Sequence, residues 1–426
     1  MTTALDRLGF HFYPDEQHYS ERHLAAWLPE LQALGAHWLV LRGNTRRSVP
    51  EAFVRGLIEA GIQPVIHIPV QVGGVVRADL DPLLQAYAHW GVRHVVVHDR
   101  PNMRRSWREA DWSRPNLVDR YLDALLPVLL SQHSCGLRPV LPALEPGGDY
   151  WDTAFLQASL QSLGRRAPKS LTSELVLGLH AWTNGHDLNW GAGGPAAWKD
   201  ARAYVEGVEG EDQRGVRIFE WYRQIAEGSL GSSLPMIALS GGITPDQVPA
   251  SPDNLAETGL AIRRMLASPE DAQGLQAFAF YPLAADAKHP DSPSAWYRQP
   301  GQPGPLAEAF KAAAVASQNK AADVLGATLA AGRRYILLPA DTRIASDLDW
   351  GSLGRMAIEG NSTMGTSAEE ASRCPEVVLA GSPGLYPATV LERLQAAGCI
   401  VLQRHIAAGP RPETPQSHAA CPSGIA

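Results

Sequence analysis

The stretch PVIHIPVQVGGVVRADLDPLLQAYAHWGVRHVVVHD, residues 64–99, carries the rhythm from which the rest of the chain is read. A short apolar run, Pro64 to Val70, gives way to a helical segment, DPLLQAYAHWG (81–91). A second apolar run, Arg93 to Asp99, follows at once. Runs this short and this continuously apolar suit strands buried on both faces. Parallel neighbours of that kind need a crossover, and the helical segment supplies one.

The same unit recurs on either side. Leu8 to Tyr13 precedes a helix with Leu24, Trp27, Leu28, Leu31 and Leu34 at helical spacing. Ser20 is placed to cap that helix and Gly35 to end it. HWLVLRG (37–43) comes next, and Pro50 opens the following helix. Further strands are expected at 138–146, 174–182, 235–242 and 276–284, each followed by a helical segment. Eight such units predict an α/β chain whose parallel sheet closes into a (β/α)8 TIM barrel. An open doubly wound sheet would carry a G-x-G-x-x-G turn after its first strand, and LGFHFYPDEQ has none.

Past the eighth unit the rhythm changes. RRYILLP (333–339), PEVVLAG (375–381) and CIVLQR (399–404) read as three strands, with helices at 351–360 and 388–398. The reading is a barrel at 1–318, a small α/β domain at 319–408 and a Pro/Ser/Gly-rich disordered tail at 409–426.

Bulk properties narrow the function. With 45% hydrophobic and 19% charged residues, the 426-residue chain can bury a large core. A net charge of -7 and the lack of a basic run argue against nucleic acid as a partner. Cys135, Cys374, Cys399 and Cys421 form no C-x-x-C pair, so neither a zinc site nor a disulfide framework is expected. No apolar run is long enough for a membrane span. MTTALDRLGFHFYP shows no signal peptide, which fits a cytoplasmic protein or a chain already relieved of its leader. The sequence carries no signal for oligomeric state.

Barrel sites lie at the C-terminal ends of the strands. Trp107, Trp112, Trp151, Trp182, Trp190, Trp198 and Trp296 all fall in or just before the loops at that end. They read either as platforms for sugar rings or as packing for long loops. The strand ends also resemble, over residues 8–315, the clan-A glycoside hydrolases. The resemblance rests on Arg42 in VLRGN, the stretch VVVHDRPNMRRSW, His180 in LHAW, the stretch IALSGGI, and Tyr281 in AFAFYPL. It implies an oligosaccharide or glycoside ligand and no cofactor. The implied contacts are Arg42, Arg100, Asn102, Trp107, Trp151, His180, Trp182, Ser240 and Tyr281.

The departures from that family shape the expectation. Arg100 stands before Pro101 where the family places its acid/base Glu, and Ser240 stands where it places its nucleophile. Retaining hydrolysis needs two carboxylates about 5 Å apart, and a guanidinium gives up no proton at neutral pH. The expectation is therefore a carbohydrate-binding barrel without standard catalysis. A relocated pair, Asp99 and Glu145, is the enzymatic alternative, and a non-catalytic scaffold is the other. His11, His67, His98 and His180 raise the question of a metal, but strand 1 lacks a His-x-His pair and no metal site is expected. Ser240 lies outside a G-x-S-x-G elbow, so an acyl-transfer serine is not expected either. VVLAGSPGLYPATVLERLQAAGCIVLQR (377–404) resembles modules of cell-wall-binding and surface proteins, implying a binding module or a structural cap.

Overall fold

The computed structural model describes residues 7–205, 210–244, 252–316, 334–339, 348–359, 362–381 and 383–404. The chain divides into two compact units, Met1–Ala314 and Val315–Ala426. The tail expected at 409–426 lies outside the described residues.

The first unit is a TIM barrel. Its strands are β1 (Leu8–His11), β2 (Trp38–Arg42), β3 (Gln63–Ile68), β4 (His94–Val97), β5 (Val140–Leu141), β6 (Val176–Trp182), β7 (Met236–Gly242) and β8 (Leu275–Phe280). They run parallel in the order β4-β3-β2-β1-β8-β7-β6-β5. Where β4 meets β5 the ladder thins to one bridge, His94 to Arg138. β5 is only two residues long, against an expected run of nine, because Pro139 and Pro142 flank it and neither has an N–H to donate. One side-chain amide and one loop backbone amide take over the missing bonds. Gln132, on the helix Leu117–Ser134, donates to Val95 O at 2.8 Å and accepts from Val140 N at 3.2 Å. The Arg100 amide donates to Ala143 O at 2.9 Å further up the same seam.

Side chains alternate between two cores. Val40, Val65, Val96, Val140, Val176, Ile237, Leu239 and Ala277 fill the barrel interior. Their neighbours, such as Phe10, Leu39, Leu41 and Ile66, pack outward under the helices. The first crossover helix, Glu21–Leu34, begins and ends as its sequence demands. Ser20 accepts from His23 N, and Gly35 closes the last turn at φ 75°. After β8, a hairpin of β9 (Tyr297–Gln299) and β10 (Gln302–Pro303) precedes a helical run at 305–316.

The second unit is a parallel four-stranded sheet: β11 (Tyr335–Leu337), β12 (Thr363–Gly365), β13 (Glu376–Ala380) and β14 (Ile400–Arg404), in the order β12-β11-β13-β14. Only three strands are legible in its sequence. β12 escapes because Thr-Met-Gly offers no apolar run, and pairing with β11 alone makes it a strand. Among the described residues no helix is long and apolar enough to cross a membrane.

Candidate functional site

Strand alternation carries a polar layer above the apolar barrel interior. Val40 faces inward on β2, and so does Arg42 two residues on; Val65 brings His67, and Val176 brings His180 and Trp182. Two residues reach the same layer only because the backbone departs from regular strand. Val96 faces inward, so alternation would send Asp99 outward. His98 and Arg100 instead take left-handed conformations, φ 79° and 46°, on either side of it. Such values cost a non-glycine residue about 1–3 kcal/mol. Asp99 Oδ1 thereby comes to 3.1 Å from His180 Nε2 and 3.8 Å from His67 Nε2.

Ser240 is the second case. Ile237 and Leu239 already face inward, yet the pairing with β6 skips a residue there and sets Ser240 opposite His180. This bulge lets Leu239 and Ser240 face the interior in succession. Ser240 Oγ lies 2.6 Å from His180 Nδ1. The glycines that follow are required. A Cβ on Gly241 would stand 2.4 Å from Ala181 O, and Gly242 has φ 112°.

Charge in this layer is organised by Arg100. Its Nη1 lies 2.6 Å from Asp99 Oδ2, and its Nε pairs with Glu145, which Arg105 also approaches at 3.8 Å. Burial alone would raise the Asp99 carboxyl. The Arg100 charge and the His180 hydrogen bond outweigh it and hold Asp99 well below the ordinary carboxylate range. The imidazoles shift the other way. Burial, helped by the cationic neighbours, lowers His180, takes His67 down to about 4 and holds His11 well below the ordinary imidazole range. At neutral pH all three rings are therefore uncharged. His180 must then donate Nε2–H to the anionic Asp99, which leaves its Nδ1 lone pair to accept from Ser240. Nδ1 of His11 is buried without a hydrogen-bond partner, and the ring packs edge-on to Tyr281 at 4.8 Å.

The expected contact residues fall into two groups. Arg42, Arg100, His180, Trp182, Ser240 and Tyr281 share the mouth, where Trp182 and Tyr281 meet edge to face at 6.0 Å. Asn102, Trp107 and Trp151 are spent on structure. Asn102 is fully buried and joins the β4 and β5 loops through Glu145 N, Glu145 O and Tyr150 O, at 2.8–2.9 Å. Trp107 is buried and donates to Pro101 O. Trp151 packs on Tyr204 and under Arg214. Trp296 joins Phe10, Phe280 and Phe310 in the core. The contacts of these tryptophans are those of loop and core packing.

Sequence reasoning did not join Ser240, His180 and Asp99, which lie 60 and 81 residues apart. Nor did it find the rim group of Asp15, His18 and Asp286, whose ligand atoms lie within 4.8 Å of one another. There His18 faces Asp15 at 2.9 Å and Asp286 at 3.3 Å through its two ring nitrogens, an arrangement that leaves neither nitrogen open.

No family model matches the sequence, and a comparison with curated proteins finds no match. Solved structures of similar fold include a family 39 glycoside hydrolase from Bacteroides cellulosilyticus, at 13% identity and a TM-score of 0.48 over 73% of this chain. This chain spans 64% of that protein's length. A GH128 (subgroup II) endo-β-1,3-glucanase from Sorangium cellulosum is 15% identical, with a TM-score of 0.44 over 72% of this chain and 97% of its own. A glucosidase from Croceicoccus marinus is 10% identical, with a TM-score of 0.46 over 68% of this chain and 61% of its own. At these identities the likeness is one of barrel architecture.

Proposed function

We propose that the barrel mouth binds a carbohydrate, an oligosaccharide or glycoside, and does not hydrolyse it by the two-carboxylate route. One observation carries the reading. Asp99 and Glu145, the carboxylates at the ends of β4 and β5, are both ion-paired to Arg100. An acid held ionised by a guanidinium has no proton to give a leaving group, and a carboxylate locked in an ion pair is a poor nucleophile. The relocated Asp99/Glu145 pair is thus disfavoured. Binding is supported by what surrounds the pair. Trp182 and Tyr281 offer aromatic surface beside Arg42, His67 and His180, the mixture of apolar faces and hydrogen-bonding groups that a sugar ring calls for.

Calorimetry against mixed oligosaccharides, run beside a panel of chromogenic glycosides, tests this. Heat of binding without turnover is expected, with affinity lowered about tenfold in Trp182→Ala, equivalent to about 1.4 kcal/mol. Glycoside turnover that Glu145→Gln abolishes would overturn the non-hydrolytic half. An absence of heat with every sugar would leave the scaffold reading.

A further inference from the structure

The Ser240–His180–Asp99 chain goes beyond sugar binding, and we propose that Ser240 is a nucleophile for acyl transfer from carboxylic esters, such as an ester carried on the bound sugar. The sugar as carrier rests on the reading above; the nucleophile does not. Three features of the geometry point to it. Ser240 Oγ lies 2.6 Å from an imidazole nitrogen, and the opposite ring nitrogen lies 3.1 Å from a carboxylate. That is the nucleophile, base and orienting group of acyl-transfer sites, with the two ring nitrogens exchanged in role. The tautomer is the productive one, because the Arg100 pair keeps Asp99 anionic and so keeps the His180 proton on Nε2. The chain is also costly to build. It needs left-handed backbone on both sides of Asp99 and a bulge beneath Ser240.

Arg42 supplies the remaining requirement. It is the inward-facing end of β2, and among the described residues no carboxylate pairs with its guanidinium, whereas both acids nearest the mouth are taken by Arg100. Its charge reaches His11, His67 and Tyr281. A negative oxygen formed in the mouth would meet this unneutralised cation.

The step balances with an ester and water alone. Ser240 Oγ attacks the ester carbonyl while His180 Nδ1 takes the hydroxyl proton. The C–O bond to the alcohol then breaks, and His180 returns the proton to the departing alkoxide. Water, deprotonated by the same nitrogen, attacks the acyl-serine; the carboxylic acid leaves and Ser240 recovers its proton. Asp99 touches no reacting atom and is a positioning residue. The charged and titratable groups around His180 are Asp99, Arg100, Glu145, His67 and His11.

The test uses the full chain, a small alkyl fluorophosphonate and 4-nitrophenyl acetate, neither of which needs a bound sugar. One phosphonate per chain is expected, found on the Ser240 peptide by mass spectrometry. Ester hydrolysis should fall at least 100-fold in Ser240→Ala. Arg42→Met should lower it about 100-fold, the size of effect seen when one oxyanion donor is lost. Asp99→Asn should lower kcat on the order of 10³-fold and remove the pH inflection that belongs to His180, a change that loss of packing alone would not give. A folded wild-type protein that takes no label, or takes it on another residue while Ser240→Ala still hydrolyses the ester, would overturn the proposal. Failure of sugar binding reads out separately in the calorimeter, so the two ideas fail independently.

Discussion

Arg100 decides what the mouth can do, because one guanidinium pairs with two carboxylates at once. All three side chains are at least two-thirds buried. Arg100→Met would strand two anions in the same small volume. Breaking a pair of this kind costs about 3 kcal/mol or more. Urea denaturation should show a loss of that size, and the Asp99 carboxyl should titrate at higher pH in the variant. The presence of Arg100 before Pro101 is plain in the sequence, but its two partners are not. Glu145 lies 45 positions away, and Asp99 faces inward only through the left-handed turn at His98. Residue type was legible here; side-chain direction was not.

At the scale of elements, the eight strand–helix units could be read from apolar runs and helix caps, since both are local in sequence. The seam between β4 and β5 could not, because it depends on side chains from a helix. Gln132 bridges Val95 O and Val140 N from inside the helix Leu117–Ser134. Gln132→Leu keeps the volume and removes both bonds, leaving a buried acceptor and a buried donor unmet. Each unmet group costs about 1–3 kcal/mol. A loss on the order of 3 kcal/mol is expected in the variant. Amide hydrogen exchange at Val140 should accelerate together with it, and unchanged protection there would show that Gln132 does not hold the seam.

For the barrel as a whole, buried titratable groups set the response to acid. Burial takes His67 and His94 down to about 4. The unfolded chain accepts protons at these histidines near 6.5 and the folded one resists them. Their contribution to stability is complete above that pH and is lost as pH falls toward 4. Asp152 works in the opposite sense. Burial raises its carboxyl to about 6 despite hydrogen bonds from Gly147 N, Gln213 and Tyr222. Its stabilising effect is full below about 3.8 and is lost as pH rises through 6. His11, His98 and His180, which burial also lowers, act in the same sense as His67 and His94 and together outweigh one aspartate, so lowering the pH from 7 to 4.5 should cost about 3 kcal/mol or more. Thermal melts across that window would check the direction. Asp152→Asn should steepen the fall by removing the opposing group.

The bulge in β7 has one more consequence, in the currency of mutational distance. Ser240 faces His180 because of a single extra residue between Ala238 and Gly241. Deleting Ser240 would close the bulge and set Leu239 opposite His180, whereas deleting Leu239 would close it and leave the hydroxyl facing the imidazole. The extra residue thus adds a hydroxyl to the mouth without taking an aliphatic side chain from the barrel interior.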